Sequence, residues 1–380
     1  MRVLFINENI GGHATVHHHL RIALAASPQV EATFIDLPPV AGLARVAGVR
    51  VPGLAALDLD MQPLRAELAR SMVLAQTLRK HDLKSQEHRP DAIHLYTHNA
   101  GLLSVPTWRR IPTVVSLDTT NAQNAYRLPG RLPTGFTPLT VAATKPFERR
   151  VYEAATTVVA NSDWAARSLR EDYGVVNDGL RVQPFGITAP DFGPGCAPGV
   201  SGLGKPRAVF VGRSLERKGG LQLLRVHRSE LQDRIDLTVV SDEQAPPQPG
   251  LEVINDLAPG DGRLWTVLRN SSMFVFPSAI DMAPNAVLEA MMAGLPIIAR
   301  PVGAIPEMVE HEVNGLLIGP DNRDLVAAIN RLIDDVDLRR SMGAASRQRA
   351  LAHYNALETT PALVEILSQA IDRHAERFGR

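Results

Sequence analysis

An alternation of short apolar runs with longer helical patterns constrains the fold most, because it fills the first half of the chain and starts again after residue 205. Each apolar run is typical of a buried strand, and the helical segments between the runs indicate a parallel sheet covered by helices. The predicted strands are Val3–Ile6, Ala32–Leu37, Ala92–Tyr96, Thr113–Leu117 and Thr157–Ala160, then Ala208–Val211, Asp236–Val240, Met273–Phe276, Pro296–Ala299 and Leu316–Ile318. The sequence therefore predicts an α/β protein with two Rossmann-like, doubly wound domains.

Segments that lack this alternation divide the chain. Residues 189–206 are rich in Gly and Pro, which suit neither a helix nor the interior of a sheet, so we predict a linker. The N-terminal domain is then 1–188, the C-terminal domain is 207–357, and a helical pattern fills 358–380. Residues 38–63 are apolar, interrupted by Gly and Pro, and carry Arg45 and Arg50. We favour a packed connection there over a mobile acceptor-facing or membrane-facing loop, because the basic residues are few.

Composition narrows the classes of function. The 380 residues include 40 Lys and Arg and 40 Asp and Glu, and this balance argues against a nucleic-acid binder and favours a small-molecule partner. The single cysteine, Cys196, cannot form an internal disulfide, and the chain begins with a strand pattern in place of a signal peptide. No apolar run is long enough to span a bilayer. We expect a cytoplasmic protein.

The stretch from Asp281 to Ala299 carries the strongest chemical signal. Asp281 is expected in a loop after a strand, and Pro284 suits the first turn of the helix that follows. Glu289 then lies about a turn and a half into that helix. The N–H groups at the helix start, together with the positive end of the helix dipole, are available to an anion. A phosphate flanked by two carboxylates that bind hydroxyls describes a nucleotide sugar.

The same stretch resembles the retaining glycosyltransferases of the GT-B fold, of the family-4 or group 1 type, which includes sucrose synthases and bacterial mannosyltransferases. The family signature has two Glu residues separated by seven positions, and here Asp281 replaces the first while Glu289 matches the second. Glu289-Ala-Met-Met-Ala-Gly-Leu-Pro-Ile-Ile-Ala299 and Gly303-Ala-Ile-Pro-Glu307 extend the resemblance. It implies two Rossmann-like domains facing a central cleft, with the donor mainly on the C-terminal domain and the last helix crossing back to the N-terminal domain.

The donor site is expected at the start of the C-terminal domain and around Asp281. By resemblance, Arg213 and Lys218 contact the donor diphosphate, and two fixed cations would stabilise the charge that the leaving group gathers. Neither a metal nor a cofactor is then required. We expect Glu289 to bind the ribose hydroxyls and Asp281 to bind the transferred sugar. The predicted nucleotide-sugar site comprises Gly12, Arg213, Lys218, Ala283, Pro284, Asn285, Ala286 and Glu289.

The N-terminal domain offers the acceptor side. Its first strand leads into Glu8-Asn-Ile-Gly-Gly-His-Ala14, where Gly11 and Gly12 let the backbone approach a ligand. His13 and His98 are candidates for acceptor contacts. We disfavour a metal at His13 and His17, because no third ligand is in register.

Position 117 is where the sequence departs from the family. Many relatives end the fourth strand with His-Asp, and here Leu117 takes the place of the His while Asp118 remains. Asp118 is a candidate to bind a sugar hydroxyl, stabilise an oxocarbenium-like centre or help deprotonate the acceptor. We also keep open that it only caps the loop. The catalytic candidates are Asp118, Arg213, Lys218 and Asp281.

The predicted function is a retaining, metal-independent glycosyltransferase that moves a sugar from a nucleoside-diphosphate sugar to a sugar, a lipid-linked compound or a small molecule. Two alternatives share the architecture. One is a nucleotide-sugar epimerase or a sugar phosphorylase. The other is a nonenzymatic nucleotide-sugar-binding protein, in which the loss of the His at position 117 has abolished turnover. A glycosyltransferase of this kind is also compatible with peripheral contact with the inner membrane face.

Overall fold

A computed structural model describes residues 1–81, 83, 89–126, 133–175, 179–192, 205–258 and 260–378. The chain forms two compact units. The first unit contains the N-terminal half up to Phe185 and the C-terminal segment from Leu357, and the second contains Gly186–Ala356. Of the predicted linker 189–206, residues 193–204 lie outside the described residues. No helix among the described residues combines the length and the apolar character needed to cross a bilayer.

The first unit is a six-stranded parallel sheet with helices on its faces. Its strands are β1 (Arg2–Asn7), β2 (Glu31–Asp36), β3 (Ala92–Tyr96), β4 (Thr113–Leu117), β5 (Thr157–Ala160) and β6 (Leu180–Val182). Its helices are α1 (His13–Leu24), α2 (Pro52–Ala56), α3 (Gln62–Leu78), α4 (Val105–Arg110), α5 (Asn121–Tyr126), α6 (Thr137–Ala154) and α7 (Asp163–Glu171), with 3₁₀ turns at Gly42–Gly48 and His98–Gly101. The strand order is β2-β1-β3-β4-β5-β6, so the chain changes direction between β1 and β3.

The second unit repeats this architecture. Its strands are β7 (Arg207–Val211), β8 (Asp236–Val240), β9 (Leu251–Ile254), β10 (Met273–Phe276), β11 (Ile297–Ala299) and β12 (Gly315–Leu317). Its helices are α8 (Gly220–Val226), α9 (Arg263–Arg269), α10 (Asn285–Met292), α11 (Ile305–Met308), α12 (Asn322–Asp334) and α13 (Val336–His353), with a π turn at His227–Leu231. The order is β12-β11-β10-β7-β8-β9, all parallel, so the direction changes between β7 and β10. Ligands bind at such switch points in doubly wound sheets.

Both faces of the first sheet are covered. Along β1, Val3 and Phe5 point into one core cluster while Leu4 and Ile6 point into another, as the two-residue period of a strand requires. The cluster around Phe5 is closed by α1 and by the C-terminal helix α14 (Ala356–Phe378), whose Leu367 is fully buried in it. The last helix of the chain is therefore part of the first unit.

The predicted strands are confirmed, with ends that differ by at most one residue, but β6 and β9 were missed. Pro284 is also one residue earlier than expected. It precedes α10, and its carbonyl accepts the backbone hydrogen bonds of Val287 and Leu288. The favoured packing of residues 38–63 is only partly right. The backbone there is held, with Arg65 donating to the carbonyl of Val49, but α2 buries none of its residues.

Candidate active site

The centre of the candidate donor site is a salt bridge between two residues singled out from the sequence. Lys218 follows β7, Asp281 follows β10, and the two strands are neighbours at the switch point of the second sheet. The Lys218 ammonium donates to Oδ2 of Asp281, and it lies 5.8 Å from the centre of the Phe276 ring. Both side chains are largely buried, and burial lowers the pKa of Lys218 while the neighbouring Asp281 opposes that effect. The structure thus brings the predicted phosphate cation and the predicted sugar-binding acid into direct contact.

Two glycines fix the loops that carry this pair. Gly219 has a φ of +80°, and a Cβ at this position would lie 2.5 Å from the carbonyl oxygen of Pro277. Gly303 has a φ of +57°, and a Cβ would lie 2.3 Å from the carbonyl oxygen of Asp281. Only glycine allows backbones to approach this closely in a left-handed conformation. The loop from Pro277 to Asp281 therefore packs against the turns at Gly219 and Gly303, and this packing restricts the position of the Asp281 carboxylate.

Arg213 lies on the same turn but is far more open. Its Nε is 3.7 Å from Oδ2 of Asp242, and more than half of both side chains is exposed. Ser241 holds the turn by donating from its hydroxyl to the carbonyl of Arg213. An exposed guanidinium with a weak surface partner is free to turn toward an incoming anion at little cost.

Glu289 is the fifth residue of α10, and its carboxyl is buried. Its exposed fraction is 8%, and burial raises its pKa to about 7. Among the described residues no side chain or backbone donor pairs with it. Asp281 differs, because its Oδ1 accepts from the N–H of Met282 and its Oδ2 from Lys218. Glu289 is thus the acid of this site whose hydrogen-bonding capacity is unused. Ala283, Pro284, Asn285 and Ala286 form the loop and first turn between the two acids.

The first unit holds a second cluster of charges at the carboxyl ends of its strands. Nδ1 of His13 lies 3.1 Å from Oε1 of Glu8, and its Nε2 lies 3.7 Å from Oδ2 of Asp118. Burial alone would lower the pKa of His13, but the flanking carboxylates raise it to about 10. The imidazole therefore carries a positive charge at neutral pH. Gly12 precedes it at the start of α1, where its carbonyl accepts the N–H groups of that helix.

Several members of this cluster were missed by sequence reasoning. Glu8 is buried and accepts a hydrogen bond from Thr97, and Nε of Arg70 lies 4.0 Å from its carboxylate. The ring of Tyr96 packs edge-on against His13, with ring centres 4.9 Å apart. A signal was present, since Glu8 and Tyr96 stand at the ends of β1 and β3, the two strands of the switch point.

His98, the other candidate for the acceptor side, lies in the interior of the first unit. It is 1% exposed, and its Nε2 lies 2.8 Å from Oε1 of Glu148. Tyr173 donates to the other oxygen of the same carboxylate. His98 therefore belongs to a buried polar network. Leu117, in the position where relatives carry His, is also fully buried.

No group of three or more His, Cys, Asp or Glu side chains in the described ranges is arranged to hold a metal ion. His17, which is four residues from His13, lies with Nδ1 2.9 Å from Oδ1 of Asp36 and is buried. Its ring packs edge-on against Phe34 of β2, with ring centres 5.3 Å apart.

Comparison with known proteins identifies the architecture. Residues 11–186 match the family described as "Glycosyl transferase 4-like domain" and residues 205–335 the family described as "Glycosyl transferases group 1". A D-inositol 3-phosphate glycosyltransferase from Nocardia farcinica is 28% identical over 92% of this chain and 81% of its own length. An alpha-maltose-1-phosphate synthase from Mycolicibacterium smegmatis is 28% identical over 55% of this chain and 62% of its own.

Solved structures agree on the fold. A sucrose-phosphate synthase from Thermosynechococcus elongatus superposes with a TM-score of 0.70 at 17% identity, covering 97% of this chain and 98% of that one. The Anabaena protein HepE in complex with UDP-glucose superposes at 0.65 and 16% identity, covering 97% and 100%. The two sheets and their order thus define the GT-B fold. The chain belongs to the group 1 family of these enzymes, whose members transfer sugars from nucleotide sugars.

Proposed function

We propose that this enzyme transfers a hexose from a nucleoside-diphosphate sugar with retention of the anomeric configuration and without a divalent metal. The observation that carries the proposal is the Lys218–Asp281 pair at the switch point of the second sheet. An ammonium has three N–H donors, and Asp281 occupies one of them, so donors remain for phosphate oxygens. A fixed cation beside the breaking bond supplies the charge stabilisation that a metal provides in other sites.

The other candidate residues would bind successive parts of the donor, from the diphosphate to the ribose and the sugar. Arg213 is exposed enough to close onto the diphosphate, and the first-turn amide of Ala286 lies at the positive end of α10. The buried Glu289 carboxylate, which has unused acceptor capacity, would take the vicinal hydroxyls of the ribose. Asp281 would bind the transferred sugar with the lone pairs that Lys218 and Met282 leave open.

We further propose that the acceptor is bound by the first unit, at the cluster of His13, Glu8 and Asp118. Carboxylates accept hydrogen bonds from hydroxyl groups, and Asp118 is the more exposed of the two acids, with 19% of its side chain accessible. It would orient the attacking hydroxyl, with Nε2 of His13 3.7 Å from its Oδ2. The relatives named for D-inositol 3-phosphate make a phosphorylated polyol the first acceptor to test. The proposed location is the cytoplasm, in keeping with one cysteine in 380 residues.

The decisive experiment begins with a thermal-shift screen of nucleotide sugars, because a ligand that binds only the native state raises its stability. The stabilising donor is then incubated with acceptors in the presence of a chelator, and proton NMR records the anomeric signal of the early product. A retained configuration and activity that survives chelation are expected. An inverted product contradicts retention, and activity restored only by a divalent ion contradicts metal independence. Conversion of the donor in the absence of an acceptor would identify an epimerase. Donor binding without turnover on any acceptor would identify a nonenzymatic binding protein.

A further inference from the structure

Large apolar side chains are exposed together on one surface of the first unit. They come from two stretches of chain, the 3₁₀ turn with α2, and the first turns of α6. We call this surface the apolar face, and it consists of Val46, Val49, Val51, Leu54, Leu57, Phe136 and Leu139, whose exposed fractions range from 39% to 63%. An exposed apolar area gathered in one place indicates a surface that meets a partner.

Hydrogen bonds join the two stretches into one surface. Thr134 donates from its hydroxyl to the carbonyl of Leu57 over 2.8 Å, and Thr137 donates to Oδ2 of Asp58 over 2.7 Å. The spacing of the apolar residues also matters. Leu54 lies in α2, and Val51 and Leu57 flank that short helix three residues away on either side, so the three are close along the chain. The exposure is thus a property of a built surface and not of scattered side chains.

Along residues 42–60 the exposed charged side chains are both basic. Between Gly42 and Leu57 the charged residues are Arg45 and Arg50, both exposed, and the stretch contains no acid. The first acid that follows is Asp58, which accepts hydrogen bonds from Thr137 and Thr140. The next acid, Asp60, is buried and accepts hydrogen bonds from the N–H groups of Val51 and Gln62. Apolar side chains flanked by exposed arginines match the interface of a bilayer that contains anionic lipids. A single signal gives weak membrane binding, whereas apolar insertion and basic attraction together give stable binding.

We propose that the apolar face docks this enzyme onto an anionic phospholipid surface, with Leu54 and Leu139 entering the acyl boundary and Arg45 and Arg50 near the headgroups. The proposal concerns a surface outside the donor site and does not depend on the transfer reaction. It places the first unit against the membrane. It also accounts for exposed valines and leucines that otherwise have an unfavourable contact with water.

The test is sedimentation of the full chain with vesicles of phosphatidylcholine alone or of phosphatidylcholine with phosphatidylglycerol. We expect binding to the anionic vesicles, weakened by salt. Leu54→Glu combined with Leu139→Glu is expected to reduce binding by about tenfold or more, because burial of two large side chains is lost. Arg45→Gln and Arg50→Gln should each reduce it roughly fivefold.

The matched control is Ile22→Glu, because Ile22 is 44% exposed on α1 of the same unit but lies outside the apolar face. It should leave vesicle binding unchanged. Absence of binding to anionic vesicles at low salt overturns the proposal, as does an equal loss in Ile22→Glu. Light scattering supplies a further check. If the protein does not bind vesicles and forms a dimer that Leu139→Glu dissociates, a second copy covers this surface and the proposal is overturned.

Discussion

The buried carboxyl of Glu289 gives the sharpest prediction, because one substitution should raise stability and lower ligand affinity. Burial raises its pKa from 4.5 to about 7. Between pH 4.5 and about 7 the native chain keeps the Glu289 proton that the unfolded chain has released. The free energy of unfolding therefore falls as the pH rises through this range, and above it the native state bears the full cost of a buried carboxylate. A shift of this size corresponds to about 3 kcal/mol at ~1.4 kcal/mol per pH unit.

Glu289→Gln removes that penalty while keeping the shape of the side chain. Above neutral pH the free protein should become more stable by up to about 3 kcal/mol, and its Tm should rise by several degrees, since ~1 kcal/mol shifts Tm by about 2–4 °C at this size. At about pH 5 the gain should be much smaller, because the wild-type carboxyl is then mostly protonated. The same change should weaken nucleoside-diphosphate binding by ~1.5–3 kcal/mol, about tenfold to more than a hundredfold, because hydrogen bonds to a charged group are lost.

Calorimetric titration with nucleoside diphosphates and thermal unfolding at about pH 5 and about pH 8 measure both effects. Glu230→Gln is the matched control, since Glu230 is exposed on the π turn of the same unit and should change neither quantity. Wild-type affinity should also increase as the pH rises through about 7, and this dependence should vanish in Glu289→Gln. A variant that binds the nucleotide as well as wild type, at every pH, would refute the ribose contact.

The remaining predictions concern the charges of the two clusters. Arg213→Ala and Lys218→Ala should each lower turnover by ~10²–10³, and wild-type steady-state rates in the double variant would remove both from the site. Asp281→Asn leaves Lys218 buried without its counterion but does not touch the ribose contact, so it should lower Tm and turnover more than nucleotide affinity. Asp281→Glu should change the relative kcat/KM values across a panel of donors. Unchanged relative values would argue against a contact between Asp281 and the sugar. The raised pKa of His13, about 10, contributes stability that is complete below about pH 6.5 and is lost as the pH rises through 10. His13→Gln should therefore cost Tm at neutral pH and little at high pH, and a loss that is independent of pH would exclude a charged imidazole.

Local pattern determined most of the architecture. The strands that lie inside each sheet have continuous apolar runs because both faces of a parallel sheet are covered, so they could be read from sequence. The two missed strands lie at sheet edges. β9 (Leu251–Ile254) buries none of its residues fully, and β6 (Leu180–Val182) is three residues long with one buried. Their pairing depends on hydrogen bonds from a neighbouring strand, and such contacts leave no periodic signal in the chain.

The sequence by itself also singled out the individual residues of the proposed donor site, since Lys218, Asp281 and Glu289 stand at recognisable strand ends and helix starts. Only the tertiary structure decided which of them meet. Lys218 and Asp281 are 63 residues apart, and they pair because strand order places β7 beside β10. His13 acquires its charge in the same way, from Asp118 at the end of a strand that follows it by about a hundred residues. Electrostatic energy depends on distance in space, and distance in space follows from sheet order and not from position along the chain.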